Sequence, residues 1–299
     1  MSSEKESDIR YAFIKELDTL MLDESLIEDL DRIYIPMANL ISEGLNTAAK
    51  TQIIGINGAQ GAGKTTFCNL LEVVLETGYG MNVVLLGIDD LYFKRSEREI
   101  LAQRIHPLLI TRGVPGTHDV ELGMHVLNRL CNAGPKDVTR IPRFNKAIDD
   151  QYPESEWDKF TGRPDVILFD GWFMGAVEQP ESELKNPVNK LEEVEDPDGI
   201  WRTHVNEQLK TVYKPLFEHL DLLVMLKIPS FDKVYEWRAL QESKLRINNW
   251  GQKNLRIMDN NELERFIAHY ERLTRHILNE MPDRADMLFK VNDNHRIYI

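Results

Sequence analysis

The stretch GAQGAGKT, Gly58 to Thr65, decides how this chain is read. Gly58, Gly63, Lys64 and Thr65 fit the spacing G-x-x-x-x-G-K-[ST]. The flanks supply the context that this spacing requires. Gln52 to Asn57 is a short, Ile-rich apolar run, and Lys64 to Leu75 has apolar residues at helical spacing. Strand, glycine loop and helix follow one another directly. Glycines let the loop turn with its N–H groups facing inward, and the helix start adds positive partial charge. Gly58, Ala59, Gln60, Gly61, Ala62, Gly63, Lys64, Thr65 and Thr66 are therefore expected to cradle the phosphates of a nucleoside triphosphate. Lys64 would place a point charge at the β- and γ-phosphates, and the Thr65 hydroxyl would hold Mg²⁺.

Beyond the loop, the strand signal recurs. Asn82 to Ile88, Asp165 to Phe169 and Asp221 to Ile228 are continuous apolar runs, separated by helical or loop segments. Strands buried on both faces read this way and belong to a mostly parallel sheet. Met287 to Val291 reads as a last strand, residues 230–281 as helical, and Trp201 to Leu220 as a helix. Residues 178–198 are acidic and carry prolines, which predicts a solvated excursion. Residues 8–47 hold apolar positions at helical spacing, among them Phe13, Leu17, Leu20, Leu26 and Leu30, and Pro36 predicts a break between two helices. The expected architecture is an α/β three-layer sandwich with a helical extension over residues 1–48 packed on a nucleotide-binding domain over residues 49–299. No internal repeat is evident.

Composition narrows the partners. Of 299 residues, 42% are apolar, enough for a sizeable core. The net charge of −13 leaves no broad attractive field for nucleic acid or an anionic membrane, so an anionic substrate needs a local basic pocket. The N-terminal segment has no basic region followed by an apolar stretch, and no run approaches a membrane span. Two cysteines, Cys68 and Cys131, are too few for a disulfide framework. A cytoplasmic setting is expected; the oligomeric state is not legible. The eight histidines form no ligand arrangement, so Mg²⁺ arriving with the nucleotide is the expected metal.

Carboxylates at the strand ends separate the possible chemistries, because ligands of open parallel sheets lie at the carboxyl ends. Asp170 follows an apolar run in the manner of a Walker B group, which holds the metal or its waters; a turn-capping role is the alternative. Asp89 is placed to orient and accept the proton of an acceptor hydroxyl, and it also reads as a helix cap. Of the neighbouring pair, Asp90 is the more ambiguous. Arg143 and Lys146 offer two cations amid acidic sequence, suited to an anionic acceptor or the transferred group. Arg112, His118 and Asp119 lie in a Gly- and Pro-rich connection of the kind that binds substrate. His118 reads equally as a structural hydrogen-bonding residue, and Asp119 as the N-cap of a helix over Val120 to Asn132. Trp172, Phe173 and Met174 read either as core or as the wall of an acceptor pocket.

Taken in order, GAQGAGKT, IDDLYF at 88–93, RGVPGTHD at 112–119, PRFNK at 142–146, LFDGWFMG at 168–175, WRALQESKLR at 237–246 and MDNNELERFIAHY at 258–270 resemble the D-glycerate 3-kinase type of P-loop kinase. The likeness runs from about residue 50 to the C-terminus. The wider group includes uridine, pantothenate and phosphoribulokinase-like enzymes, which share D-x-[FL] after the second strand. The resemblance implies ATP as phosphoryl donor, Mg²⁺ as cofactor, Asp89 as base, and acceptor contacts from the segment around Asp90, Tyr92, Arg112, His118 and Asp119. It also implies that Arg238 closes over the phosphates from a lid helix, with Lys244 on the same helix. Two departures bear on the acceptor. Asp170 stands where the family pattern usually has Glu, and of the family's Gly-Arg-rich run only Gly162 and Arg163 remain.

The expected function is transfer of the γ-phosphoryl group to a hydroxyl of a small metabolite, D-glycerate or a related small acid. Alternatives are a nucleoside or pantothenate-like acceptor, or a P-loop NTPase or regulator with no small-molecule acceptor. A GTPase would carry a base-reading N/T-K-x-D element, and neither NNWG nor VNDN supplies one.

Overall fold

The computed structural model describes residues 3–48, 50–248 and 260–298. In chain order its helices are α1 (Ser3–Thr19), α2 (Ile27–Asp29), α3 (Ile35–Ala48), α4 (Lys64–Tyr79), α5 (Arg95–Arg104), α6 (Val120–Cys131), α7 (Lys190–Glu195), α8 (Ile200–Gln208), α9 (Lys214–Phe217), α10 (Asp232–Asn248) and α11 (Asn260–Glu280). Its strands are β1 (Gln52–Gly58), β2 (Val83–Gly87), β3 (Val138–Ile141), β4 (Phe144–Asn145), β5 (Asp150–Gln151), β6 (Asp158–Thr161), β7 (Val166–Gly171), β8 (Leu222–Lys227), β9 (Met287–Val291) and β10 (Ile297–Tyr298).

Six strands form the central sheet in the order β10-β9-β8-β1-β7-β2. The pairs β9/β8, β8/β1, β1/β7 and β7/β2 are parallel, and only β10 runs antiparallel. The fold is thus the expected α/β arrangement around a mostly parallel sheet. Burial explains the apolar strand runs: every residue of β1 is buried, as are Val166 to Phe169 of β7. Register then fixes the site, since Asp170 of β7 lies between Ile56 of β1 and Gly87 of β2.

Helix α4 packs under the sheet, contacting β1, β2 and β7, and α1 and α3 lie against α4. From α1 the stripe Ile9, Phe13 and Leu17 is fully buried, one helical turn per step. Rings continue that contact inward, with Phe13, Tyr34, Phe67 and Phe289 each 5.2 to 5.8 Å from the next. The break expected at Pro36 falls elsewhere: the chain turns after Thr19, and Pro36 sits in the first turn of α3. A π-helical turn, Leu30–Tyr34, precedes it, and the Ile35 N–H reaches back to the Leu30 carbonyl. The wider turn accommodates a residue that has no N–H and whose ring crowds the turn before it. Pro215 is handled in the same way, two residues after the π-helical turn Leu209–Tyr213.

The acidic stretch 178–198 is mostly exposed, as expected, but it also carries α7 and is tied to the body by buried ion pairs: Glu192 accepts two bonds from Arg272 at 2.7 and 2.6 Å, and Asp196 accepts from Arg202 at 3.0 Å. Two of its acids, Glu192 and Asp196, are thus spent on buried internal pairs, which composition could not reveal. Among the described residues no helix is long and apolar enough to cross a membrane.

Glu72 on α4 faces Glu76 and, across the helix contact, Glu16 of α1. Burial first, and then these two carboxylates, push its pKa from an ordinary 4.5 up to about 7. A raised carboxyl pKa makes the folded state hold the proton more tightly, so this residue weakens the fold progressively as pH rises from 4.5 through 7. Glu72→Gln is expected to raise Tm by a few degrees at pH 8 and to leave it unchanged at pH 4, measured by thermal melts across that range.

Candidate active site

A cleft of about 520 Å³ opens at the carboxyl ends of β1, β2 and β7. Its walls include Gln60, Gly61, Lys64 and Thr65 from the glycine loop, Asp89, Asp90 and Tyr92 after β2, Asp170 at the end of β7 and Trp172 just after it, and Arg112, Arg143, Lys146 and Arg238. Twelve residues expected from the sequence to act here are thus brought to one place, along with Trp172, which the sequence left open between core and pocket wall.

The glycine loop turns through Gly61 and Gly63, at φ +82° and +89°, conformations that cost an L side chain about 1–2 kcal/mol. The N-cap of α4 is Gly63, which has no side chain with which to cap the helix. Its leading N–H groups can therefore face an anion, as a phosphate cradle requires. Lys64 folds back over the loop, Nζ donating to the Ala59 carbonyl at 3.3 Å. Burial pulls its ammonium below the usual value, against Asp170 and Asp89, which hold it up. Gly61 is clamped from outside the motif: a Cβ there would meet the Trp237 Cβ at 3.0 Å. Its carbonyl also lies 3.0 Å from His295 Nδ1, and the His295 ring packs on Trp237 at 4.4 Å.

Three carboxylates face this loop. Asp89 accepts from Lys146 Nζ at 2.7 Å and from the Tyr92 hydroxyl at 2.8 Å. Burial pushes its pKa up, but Lys146, Tyr92 and Lys64 outweigh it and hold the carboxyl at about 2. Asp90 turns the other way, to Arg143 Nη1 at 3.0 Å and the Phe144 N–H at 3.1 Å. Asp170 is raised to about 6, chiefly by burial; Lys64 opposes this, while Asp89 and Asp90 add to it. Gly87 lets these groups converge, since a Cβ there would lie 3.2 Å from Asp90 Oδ2 and 3.3 Å from Asp170 Oδ1. Among the described residues no cluster of three metal-ligating side chains exists. The donor set instead suits Mg²⁺, which takes one or two protein oxygens and completes its shell with phosphates and water; Thr65 and Asp170 can supply them.

The remaining expected residues divide. Arg112 pairs with Asp149 and lies over the Phe144 ring at 5.6 Å. Arg238 of α10 lies over the Phe266 ring at 5.9 Å. His118 and Asp119 do not line the cleft. His118 is buried, stacked on Tyr92 at 4.3 Å, with Nδ1 2.7 Å from the Tyr213 hydroxyl. Burial pulls its pKa down to about 3. Asp119 caps α6, accepting from the Leu122 N–H at 2.8 Å, so its carboxylate is committed to a helix end. Both support Tyr92 from behind, because 91–93 and 117–119 pair like two short strands. Phe173 and Met174 are buried in the core. The Lys244 side chain, and the start of the 258–270 block, lie outside the described residues. Tyr270 and Phe266 of α11 line the cleft too, and only the resemblance of their block marked them.

No family model matches the chain. The uncharacterized kinase mug58 of Schizosaccharomyces pombe is 32% identical over 229 residues, 73% of this chain and 78% of that protein. The chain belongs to the P-loop small-molecule kinases, in the group that contains D-glycerate 3-kinase. The chloroplastic D-glycerate 3-kinase of Arabidopsis thaliana is 28% identical over 225 residues, 73% of the kinase described here and 46% of the plant protein's length. The structure of D-glycerate 3-kinase from Cryptococcus neoformans var. grubii superposes with a TM-score of 0.72 at 22% identity, covering 89% of this kinase and 98% of that chain. That likeness is one of fold.

Gly61→Ala should weaken Mg-nucleotide binding by about tenfold, from backbone strain together with the crowding of Trp237. Titration of a fluorescent nucleotide, with circular dichroism to check the fold, measures it.

Proposed function

We propose that this kinase transfers the γ-phosphoryl group of ATP to a hydroxyl of a small anionic metabolite, D-glycerate or a related small acid. The observation that carries the reading is Asp89, held at the cleft between Lys146 and Tyr92 and facing the Lys64 side of the glycine loop. Glycine-loop N–H groups and Lys64 hold the triphosphate, and Thr65 and Asp170 hold Mg²⁺, which when bound neutralises charge between the phosphates. Asp89 orients the acceptor hydroxyl and takes its proton. While Lys146 stays on it, Asp89 is a weak base. Once Lys146 turns to an anionic ligand, the carboxylate loses its cation and its proton affinity rises, so base strength develops only in the loaded site. Arg238, from α10, closes positive charge over the phosphates and keeps water out.

Arg112 and Arg143 provide the basic pocket that a small acid needs in a chain of net charge −13. A nucleoside or pantothenate-like acceptor is the second reading, favoured by the aromatic lining of Tyr92, Trp172, Phe266 and Tyr270.

Mass detection of phosphorylated product with Mg-ATP against D-glycerate, pantothenate, uridine and water alone tests the reading. Product from D-glycerate alone is expected; ADP formed equally in every well would make the protein an NTPase. Asp89→Asn should spare nucleotide binding and lower turnover by about 100-fold or more. Lys64→Ala should impair binding and turnover together.

A further inference from the structure

The hairpin that carries Lys146 has a second anchor, at its far end. Residues 146–149 form the turn between β4 and β5, and its last residue, Asp149, is a non-glycine residue in the left-handed region at φ +58°. That conformation aims its carboxylate at three arginines of neighbouring elements. Arg95 Nη1 donates to Oδ2 at 2.7 Å, Arg98 Nη2 lies 3.0 Å from Oδ1, and Arg112 Nη1 donates to Oδ1. Arg98 is fully buried and also donates to the Asp149 carbonyl at 2.7 Å, to that of Ile110 at 2.6 Å and to that of Phe93 at 3.2 Å. Next along the chain, Asp150 accepts from the Arg95 N–H at 3.2 Å. At the near end of the turn Lys146 reaches Asp89, and its carbonyl accepts from Arg112 Nη2 at 3.4 Å.

We infer that Asp149 is a positioning residue, which gathers Arg95, Arg98 and Arg112 and so sets the turn that holds Lys146 on Asp89. The cation that governs Asp89 stands on an exposed turn, and its place is fixed by a charge three residues away, not by packing around it. Without that carboxylate, three like charges crowd one strut, one of them buried, and the turn loses the reason for its left-handed residue. The inference rests on the role proposed above for Lys146 beside Asp89.

Asp149→Asn is the informative substitution, since asparagine tolerates the left-handed region and keeps the volume while removing the charge. Turnover is to be measured for Asp149→Asn and Lys146→Met, singly and together, with nucleotide Kd alongside. A loss of about tenfold in kcat from Asp149→Asn, shrinking to under about twofold in the Lys146→Met background, is expected. Equal losses in both backgrounds, or none in either, would overturn the inference, since a merely structural role subtracts alike from both. Arg95→Gln, at a half-exposed arm of the cluster, should give a smaller loss of the same kind if Asp149→Asn fails to fold.

A second arm needs no acceptor: acetic anhydride labelling of Lys146, read by peptide mass with Lys159 as internal standard. Asp149→Asn should raise it by about threefold as the ion pair to Asp89 opens. Unchanged labelling overturns the inference, whereas raised labelling without turnover on any acceptor upholds the positioning and removes only the proposed reaction.

Discussion

Parallel register between three neighbouring strands is the constraint from which the cleft follows. Backbone hydrogen bonds set Asp170 of β7 level with Ile56 of β1 and Gly87 of β2, so the chain leaves all three strands at one height. The glycine loop departs from β1, the Asp89–Asp90 pair from β2, and Trp172 follows β7. A one-residue slip would turn Asp170 to the other face of the sheet and break the convergence at Gly87. The missing Cβ at Gly87 is what lets two carboxylates approach one backbone position without a clash.

Around that level the protein builds two kinds of support. The apolar kind is deep: α4 seals the sheet, α1 and α3 seal α4, and a line of aromatic rings joins them. The polar kind is shallow and lies across the cleft from the glycine loop, in the β4–β5 hairpin, the 107–119 connection and α5. There the backbone carbonyls of Phe93, Ile110 and Asp149 are gathered by one buried arginine, Arg98. Packed rings back the glycine-loop end of the cleft, while directional bonds fix the other end, where the acceptor proposed above would lie.

This division explains what could be read in advance. Strands buried on both faces announce themselves as apolar runs, and the glycine loop constrains backbone dihedrals through residue type, so sheet and cradle were legible. Asp89 and Asp170 were legible because each ends such a run. Pro36 misled, because a π-helical turn absorbs the proline and periodicity carries no mark of it. Asp119 could not be resolved from sequence because a cap and a ligand need the same residue type. The buried pairs of the 178–198 stretch were hidden because Arg272 lies 80 positions from Glu192, and nothing in the sequence marks Arg202 as the partner of Asp196. Asp149 was invisible for the same reason, its partners being 37 to 54 positions away.

Among the described residues, three cations that line the cleft beside Asp89 and Asp90 are each matched by a carboxylate of the chain itself: Lys146 by Asp89, Arg143 by Asp90 and Arg112 by Asp149. On the proposed function, an incoming anion would not fill a vacancy; it would compete with an internal rival for each positive charge. Its affinity would be the difference between two pairings of similar kind, which would keep binding modest however many contacts form. The same rivals would stand ready when the ligand departs, recapturing their partners as it moves out. Such a site would trade tightness for turnover, and it would keep charge in the cleft compensated at each stage of the cycle.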